Sequence, residues 1–220
     1  WKMAPHIIHP LRFILPHMKG LRPAWFIRLG LFIYDHLGGQ DHLPSSDYVN
    51  LRTDSSGDPL RPALTKGFEY SDCWVNDARL VVLNARDAAD RGAEIHTRTE
   101  VLSATRQGRE WQLDVEEKPS GKHSSIRARV LVNASGPWIS DVIKNRIAAP
   151  SKSRIRLVKG SHIVVPRIFD HDRAYIFQNP DKRIIFAIPY ETDFTLIGTT
   201  DLDYFGPPED VKVDSDEVSY

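Results

Sequence analysis

The sequence predicts a chain of mixed α/β class that contributes parts of two domains. Two observations predict it. A strongly helical run is followed by strands, one of them wholly apolar, as in the interior of a parallel sheet. Beyond Pro150 a second group of strands follows with no helix of comparable strength between them, which is typical of an antiparallel sheet. The 220 residues are enough to bury a core.

The first predicted helix spans Pro23 to Leu37. Proline suits a first helical turn, and Gly38 and Gly39 supply a stop. Its apolar residues lie on almost every side of the helix, so we expect the helix to be buried on several sides. Residues 43–69 are polar and interrupted by proline and glycine, which predicts loops and short helical turns.

The second predicted helix spans Asn76 to Arg91. Asp77 lies near its start and Gly92 just past its end, in agreement with cap and dipole preferences. Runs of alternating or β-branched residues then predict three strands: Ala93–Val101, Trp111–Glu117 and Ile126–Asn133. The apolar stretch Val130–Val132 predicts a strand buried on both faces.

The strands predicted beyond Pro150 alternate with turn signals and form the antiparallel sheet of the second domain. They are Arg156–Val165, Ala174–Gln178, Ile184–Pro189 and Phe194–Gly198.

Composition excludes several classes of function. The formal net charge is zero, with 29 basic and 29 acidic residues, so no whole-protein field favours nucleic acid. The one cysteine, Cys73, forms no internal disulfide and is compatible with a reducing compartment. We find neither a signal peptide nor an apolar run long enough to span a membrane. No metal-binding pattern is present, and we expect no metal.

The strongest local signal is LVNASGPWISDV, Leu131 to Val142. An apolar strand passes through the small residues Ala134, Ser135 and Gly136 before a helix begins near Trp138. Such a corner lets backbone approach a ligand closely, at the strand end where open α/β sheets bind ligands. The alternative is an ordinary tight turn from strand to helix.

Three weaker signals have equally ordinary alternatives. The first signal is the end of a predicted strand, Thr97 to Val101. Its backbone N–H and C=O groups suit an adenine, although most such strand ends bind nothing. In KGSHIVVP, Lys159 to Pro166, the imidazole of His162 is a candidate to take a proton from an alcohol, or is held by a neighbouring carbonyl. IGTTD, Ile197 to Asp201, suits a ligand and a turn cap equally well.

These motifs together resemble the aerobic, FAD-dependent glycerol-3-phosphate dehydrogenases. The resemblance covers essentially all 220 residues. It rests on long motifs in the right order: GFEYSDCWVNDARLV (67–81), LVNASGPW (131–138), RLVKGSHIVVP (156–166), QNPDKRIIFAIPY (178–190) and IGTTD (197–201).

The resemblance implies a partial FAD-binding domain of glutathione-reductase type with a β-meander, and part of an antiparallel-sheet substrate domain. Residues 1–69 would be a helical and loop segment of the substrate domain. Residues 70–149 would belong to the FAD-binding domain, and residues 150–220 to the substrate sheet.

The resemblance also implies a role for particular residues. Val101 would hold the adenine, and His162 would accept the alcohol proton as hydride passes to the flavin. The rest of the predicted flavin site is the corner Ala134, Ser135, Gly136, Pro137 and Trp138. The predicted substrate-binding residues are Lys159, Ser161, Thr199 and Thr200.

The implied reaction oxidises sn-glycerol 3-phosphate to dihydroxyacetone phosphate and passes electrons to quinone, in a cytoplasmic protein peripheral to the inner membrane. The segment Arg12–Arg28 would contribute to membrane binding through Trp25 and Phe26, unless these aromatics are domain core. One alternative is a glycerol-phosphate oxidase that uses oxygen. Another is a flavin-free binding or membrane-docking module of the same fold.

The chain lacks motifs that the whole family member has. The glycine-rich loop for the FAD pyrophosphate is missing, and so are segments that supply arginines and a lysine to the substrate phosphate. We therefore expect an internal fragment that binds FAD weakly or not at all and is inactive alone.

Overall fold

The computed structural model describes residues 3–18, 20–37, 43–151, 155–179, 181 and 183–219. Within these ranges the α-helices are α1 (Ala24–His36), α2 (Asp77–Asp90), α3 (Ile139–Asp141) and α4 (Ser215–Ser219). The first six strands are β1 (Ile8–Pro16), β2 (Asp47–Asn50), β3 (Lys66–Val75), β4 (Thr99–Gln107), β5 (Glu110–Glu117) and β6 (Lys122–Ala128). The others are β7 (Leu157–Lys159), β8 (His162–Pro166), β9 (Ala174–Gln178), β10 (Ile184–Tyr190), β11 (Phe194–Gly198) and β12 (Leu202–Tyr204). The predicted mixed α/β class is confirmed.

The chain divides into two compact units. The first unit comprises Trp1–Val82, Lys159–Leu202 and Val213–Tyr220, and the second comprises Leu83–Val158 and Asp203–Lys212. Each unit therefore gathers segments that are distant in sequence. The finer division at residues 69 and 149 stays a prediction.

The first unit is built on a seven-stranded sheet in the order β2-β3-β1-β9-β10-β11-β8. Every neighbouring pair is antiparallel except β1 and β9. The sheet buries Ile14 and Tyr175, which are 0% and 2% exposed, in one cluster and Phe13 and Ala174 in another. The antiparallel strands predicted beyond Pro150 thus join strands from the start of the chain.

Residues 1–69 were predicted as helical and loop segments, and that prediction is wrong for β1 and β2. β1 contains Pro10 and Pro16, which obscured a strand that pairs along its whole length with β3. β9 pairs with β1 only at Phe13 and Ile14. The prolines lie outside that doubly paired stretch, where a missing backbone N–H costs no ladder hydrogen bond.

The predicted helix over residues 23–37 is present as α1, but none of its residues is buried. The expectation of burial on several sides is therefore wrong for this structure. Polar contacts at one flank hold the helix: Arg28 donates to Ser46 Oγ at 2.8 Å, and Tyr34 donates to the Ser71 carbonyl at 3.2 Å. The predicted stop at Gly38 and Gly39 lies outside the described residues.

The second unit contains the predicted β-meander, in the order β4-β5-β6. Its small core consists of Ala104, Leu113 and Val115. The strand predicted over residues 93–101 begins only at Thr99, because Arg98 adopts a positive φ of 53° and pairing with β5 starts with Thr99 opposite Glu117.

The strand predicted over residues 126–133 ends at Ala128, and Val130–Val132 is not a strand. Val130 and Val132 are 72% and 79% exposed, so the expected burial on both faces is also wrong here. An apolar run becomes a strand only when neighbouring strands satisfy its backbone. None of the described strands pairs with these residues.

Candidate functional site

The second unit carries a cleft of about 340 Å³ beside the predicted small-residue corner. It brings together four of the residues predicted to hold a cofactor: Val101, Ala134, Ser135 and Trp138. Its floor is apolar, and its remaining lining residues include Ala104, Leu131, Val142 and Ile147. The mainly apolar lining with a few polar groups is typical of a small-molecule site, and the volume is near the lower end of the usual range of about 300–1,000 Å³.

The corner itself is organised by Asn133, a role that the sequence motif did not reveal. Its side-chain oxygen accepts hydrogen bonds from the Ser135 hydroxyl at 2.6 Å and the Ser135 backbone N–H at 3.2 Å. Its amide nitrogen donates to the Ile139 carbonyl at 3.3 Å. Gly136 turns the chain with a φ of +54°, in the left-handed region that favours glycine. The side chain of Asn133 therefore fixes the turn that the small residues permit.

The helix predicted near Trp138 is present but irregular. A 3-10 turn over Gly136–Trp138 leads into α3 and then into a π-helical turn over Val142–Arg146. Two of the predicted residues lie outside the cleft lining. Pro137 lines a different pocket of the second unit, together with Lys144 and Tyr204. Gly136, which precedes Pro137, is exposed to solvent.

Charged residues border one side of the cleft. Arg146 donates to Glu100 Oε1 at 2.6 Å, and Lys118 also pairs with Glu100. Lys118 and Arg146 together hold the pKa of Glu100 below its ordinary value. These three side chains therefore form an ion-pair network beside the apolar lining of the cleft. Glu100 stays ionised across the neutral pH range.

Val101 lies in this cleft, but not at a strand end as predicted. It is the third residue of β4, opposite Val115, and the register shifts between Val101 and Ser103. Such a bulge leaves one residue out of the ladder and bends the strand locally. The bulge therefore leaves backbone near Val101 available to a ligand in the cleft. The sequence alone did not show this bulge.

The first unit brings the other two motifs together. β8 pairs with β11 so that His162 lies opposite Gly198. A Cβ on Gly198 would lie 2.6 Å from His162 Cδ2, and a Cβ on Gly160 would lie 2.1 Å from Thr199 Oγ1. Both glycines are therefore required for the close approach of the two segments. The strand predicted over residues 156–165 is divided into β7, which pairs with β12, and β8, which belongs to the seven-stranded sheet.

The predicted substrate-binding residues have protein partners in this structure. Lys159 Nζ, the Ser161 hydroxyl and the Thr200 hydroxyl all contact the carboxylate of Glu217. The Thr199 hydroxyl donates to the Thr200 carbonyl at 2.8 Å. Glu217 was not among the predicted site residues, although the spacing of Asp214 and Glu217 at the start of α4 is that of a capping box.

His162 is exposed, and no hydrogen bond to its imidazole occurs among the residues that the structure describes. The predicted alternative, an imidazole held by a neighbouring carbonyl, is therefore not observed. Across the same described residues, no group of three or more His, Cys, Asp or Glu side chains is placed to hold a metal ion. The described helices are also too short or too polar to cross a bilayer.

Comparison with known proteins defines the class. The sequence pattern of the family DAO, FAD dependent oxidoreductase, matches residues 2–220. The chain belongs to this family, and FAD is the family's cofactor. The predicted resemblance is confirmed, and the assignment of individual site residues stays a prediction.

Three relatives that the chain matches are named as dehydrogenases of phosphorylated polyols. The chain is 54% identical over 99% of its length to D-erythritol 1-phosphate dehydrogenase of Brucella abortus. It is 50% identical over 100% of its length to aerobic glycerol-3-phosphate dehydrogenase of Escherichia coli, and 52% identical over 99% to glycerol-3-phosphate dehydrogenase of Pseudomonas aeruginosa. The chain spans only 42–43% of the length of these relatives.

Solved structures confirm the fold. Glycerol-3-phosphate dehydrogenase from Bacillus halodurans, complexed with FAD, matches 99% of the chain with a TM-score of 0.74 and 24% identity, and the match covers 39% of that structure. Glycine oxidase from Geobacillus kaustophilus matches 99% with a TM-score of 0.70 and 20% identity, covering 55% of that structure. The predicted fold class, part of an FAD-dependent oxidoreductase, is confirmed.

The contact between His162 and Gly198 generates a prediction. Gly198→Ala in the full-length protein places a methyl group where His162 and the Ser161 carbonyl already lie, at 2.6 and 2.8 Å. We expect a loss of stability of about 1–3 kcal/mol, measured by urea denaturation. The control is Gly30→Ala in α1, where a Cβ meets nothing within 4 Å and helix propensity favours alanine. Equal effects of the two substitutions would contradict the proposed packing.

Proposed function

We propose that the whole protein is an FAD-dependent dehydrogenase that oxidises sn-glycerol 3-phosphate to dihydroxyacetone phosphate. One observation carries the proposal: identity of 50–52% over essentially the whole chain to relatives named as glycerol-3-phosphate dehydrogenases. Membership of the FAD dependent oxidoreductase family supports the cofactor. Because the chain spans less than half of these relatives, the activity is proposed for the full-length protein.

The second-unit cleft fits part of a flavin dinucleotide. Its volume of about 340 Å³ is small for the whole group, and its apolar floor suits a ring system. Val101, Ala134, Ser135 and Trp138 would line the bound portion, with the corner at Gly136 and Pro137 beside it. When bound, FAD supplies the acceptor for the hydride that leaves the alcohol carbon.

His162 is the residue that we propose to accept the alcohol proton. Its imidazole is exposed at the start of β8 and has no hydrogen-bond partner among the described residues. Such an imidazole accepts the proton of an alcohol without first losing another partner. Packing against Gly198 fixes the ring from one side, as a general base requires.

The electron acceptor that we propose is quinone, reached at the cytoplasmic surface of the inner membrane. The glycerol-phosphate oxidase remains the alternative, and it would form hydrogen peroxide from oxygen. A flavin-free docking module is the second alternative. The isolated 220-residue chain is proposed to be inactive and to bind FAD weakly, because the pyrophosphate loop and the phosphate-binding arginines are not in its sequence.

A second candidate substrate has its own support. The relative with 54% identity is named D-erythritol 1-phosphate dehydrogenase, so a longer phosphorylated polyol is a specific competitor for the site. The chemistry is of the same kind, with an alcohol oxidised and its proton passed to a base. The two candidates therefore differ in substrate length and share the same catalytic groups.

Flavin absorbance of the full-length protein tests the function. Under anaerobic conditions, glycerol 3-phosphate is expected to bleach the flavin band at lower concentration than D-erythritol 1-phosphate, and unphosphorylated glycerol is expected to leave it unchanged. The reverse order would assign the erythritol phosphate as substrate.

A protein without flavin absorbance would support the docking module. In aerated buffer, hydrogen peroxide at one equivalent per turnover would support the oxidase. Turnover by the isolated chain would contradict its proposed inactivity.

Substitution of His162 tests its role as base. We expect His162→Gln to lower the turnover number by about 10²–10⁴-fold while flavin content stays at the wild-type level. His123→Gln is the matched control, since His123 is an exposed histidine on β6 of the second unit. Wild-type turnover in His162→Gln would remove the imidazole from the mechanism.

Membrane association is proposed to involve α1. Trp25 and Phe26 are 68% and 42% exposed, and Arg22 lies over the Phe26 ring at 5.5 Å. Aromatic side chains in the first turn of a surface helix, with a basic side chain just before the helix, suit the interface of an anionic bilayer. In sedimentation with anionic vesicles, we expect the double variant Trp25→Ser, Phe26→Ser to lower the fraction of full-length protein that sediments with the vesicles. The control Val218→Ser, at another exposed apolar residue, is expected to leave that fraction unchanged. Equal binding of both variants would contradict this role.

A further inference from the structure

The carboxylate of Glu217 joins three separate segments of the first unit. Its side chain is 0% exposed. Lys159 Nζ lies 2.7 Å from Oε2, and the hydroxyls of Ser161 and Thr200 donate to Oε1 at 2.9 and 2.5 Å. A buried carboxylate is stable only when it is paired and hydrogen-bonded in this way. These contacts satisfy both oxygens from the chain's own groups.

The first turn of α4 fixes the orientation of this carboxylate. The backbone N–H of Asp214 donates to Glu217 Oε2 at 3.1 Å, and the backbone N–H of Glu217 donates to Asp214 Oδ1 at 3.1 Å. This reciprocal pair is a capping box. Asp214 also pairs with Lys159 at 2.7 Å, so both carboxylates of the box face the same ammonium group. Lys159 lowers the pKa of Glu217 to about 2, so this carboxylate is ionised at neutral pH.

The segments held by Glu217 are those that position His162. The Ser161 N–H donates to Thr200 Oγ1 at 2.8 Å, and Thr200 in turn donates to Glu217. Ser161 precedes His162 directly, and Thr200 lies two residues after Gly198, on which the imidazole packs. Removal of the carboxylate would free both sides of the contact that places the ring.

We propose that Glu217 is a positioning residue for His162, and that Lys159 is its counter-ion rather than a ligand of the substrate phosphate. The inference rests on the proposed role of His162 and changes the assignment of Lys159. A phosphate would have to compete with two carboxylates at 2.7 Å for this ammonium group. It would also leave the buried carboxylate of Glu217 without its main partner.

Three variants of the full-length holoenzyme test the proposal: Glu217→Gln, Lys159→Met and the double variant. Glu217→Gln puts an amide beside the Lys159 ammonium, and Lys159→Met leaves a buried carboxylate unpaired. We expect each single change to lower kcat by about ten- to a hundredfold, with KM for glycerol 3-phosphate little changed. The double variant removes both charges of the buried Glu217–Lys159 pair, leaves only the half-exposed Asp214 without the ammonium group, and is expected to recover part of kcat. Glu110→Gln, on the exposed Glu110–Arg127 pair of the second unit, is the control.

A second readout does not depend on substrate. Diethyl pyrocarbonate modifies exposed imidazoles, and peptide mass spectrometry gives its rate at His162 relative to His123 in the same molecule. We expect this ratio to change in Glu217→Gln and, in the same direction, in Ser161→Ala. Ser161→Ala removes one contact to Glu217 and is available if the Glu217 variant does not fold.

Two results would overturn the proposal. One is an increase in KM in Lys159→Met with kcat retained and no recovery in the double variant, because that pattern marks a phosphate ligand. The other is an unchanged His162 ratio in both Glu217→Gln and Ser161→Ala. A changed ratio in the two variants, together with a wild-type protein that does not oxidise glycerol 3-phosphate, would instead reject the proposed function and retain the positioning role.

Discussion

The buried carboxylate of Glu217 is the constraint on which the candidate catalytic region of the first unit depends. It is held by an ammonium group, two hydroxyls and a backbone N–H, and it connects the start of β8, the end of β11 and the first turn of α4. Low local dielectric strengthens such a network and makes each partner costly to lose. His162 and Gly198 are brought together by the pairing of β8 with β11, and both residues adjoin segments that the carboxylate holds.

The two compact units supply different parts of the chemistry proposed for the whole protein. The second unit offers an apolar cleft, with a small-residue corner that Asn133 holds in shape. The first unit offers an exposed imidazole on a sheet whose glycines allow two segments to approach closely. The family supplies the reason to expect a flavin site. The proposed oxidation of an alcohol adds the need for a group that accepts the hydroxyl proton.

The sequence predicted the elements whose signals are local. The periodicity and caps of α2, and the β-branched runs of β9 and β11, needed no distant partner to be recognised. The predictions from sequence were wrong where pairing with a distant strand decides whether a segment becomes a strand. β1 is a strand because β3 pairs along its whole length, despite two prolines, whereas the strongly apolar Val130–Val132 has no pairing partner among the described strands.

The site was predictable to a similar extent. The motifs identified His162 and the corner at Ala134 and Ser135, because their residue types carry the chemistry. Glu217 was missed, since its importance comes from contacts with residues up to 58 positions earlier in the chain. Lys159 was predicted as a substrate ligand from the family resemblance. The ion pairs that occupy its ammonium group are visible only in three dimensions.

A crystal structure of the full-length protein with FAD and glycerol 3-phosphate is the most direct test. We expect Lys159 Nζ within hydrogen-bonding distance of Glu217, and the His162 imidazole within reach of the substrate hydroxyl that is oxidised. A structure with Lys159 on the substrate phosphate, or with His162 remote from the flavin ring and the substrate, would contradict it.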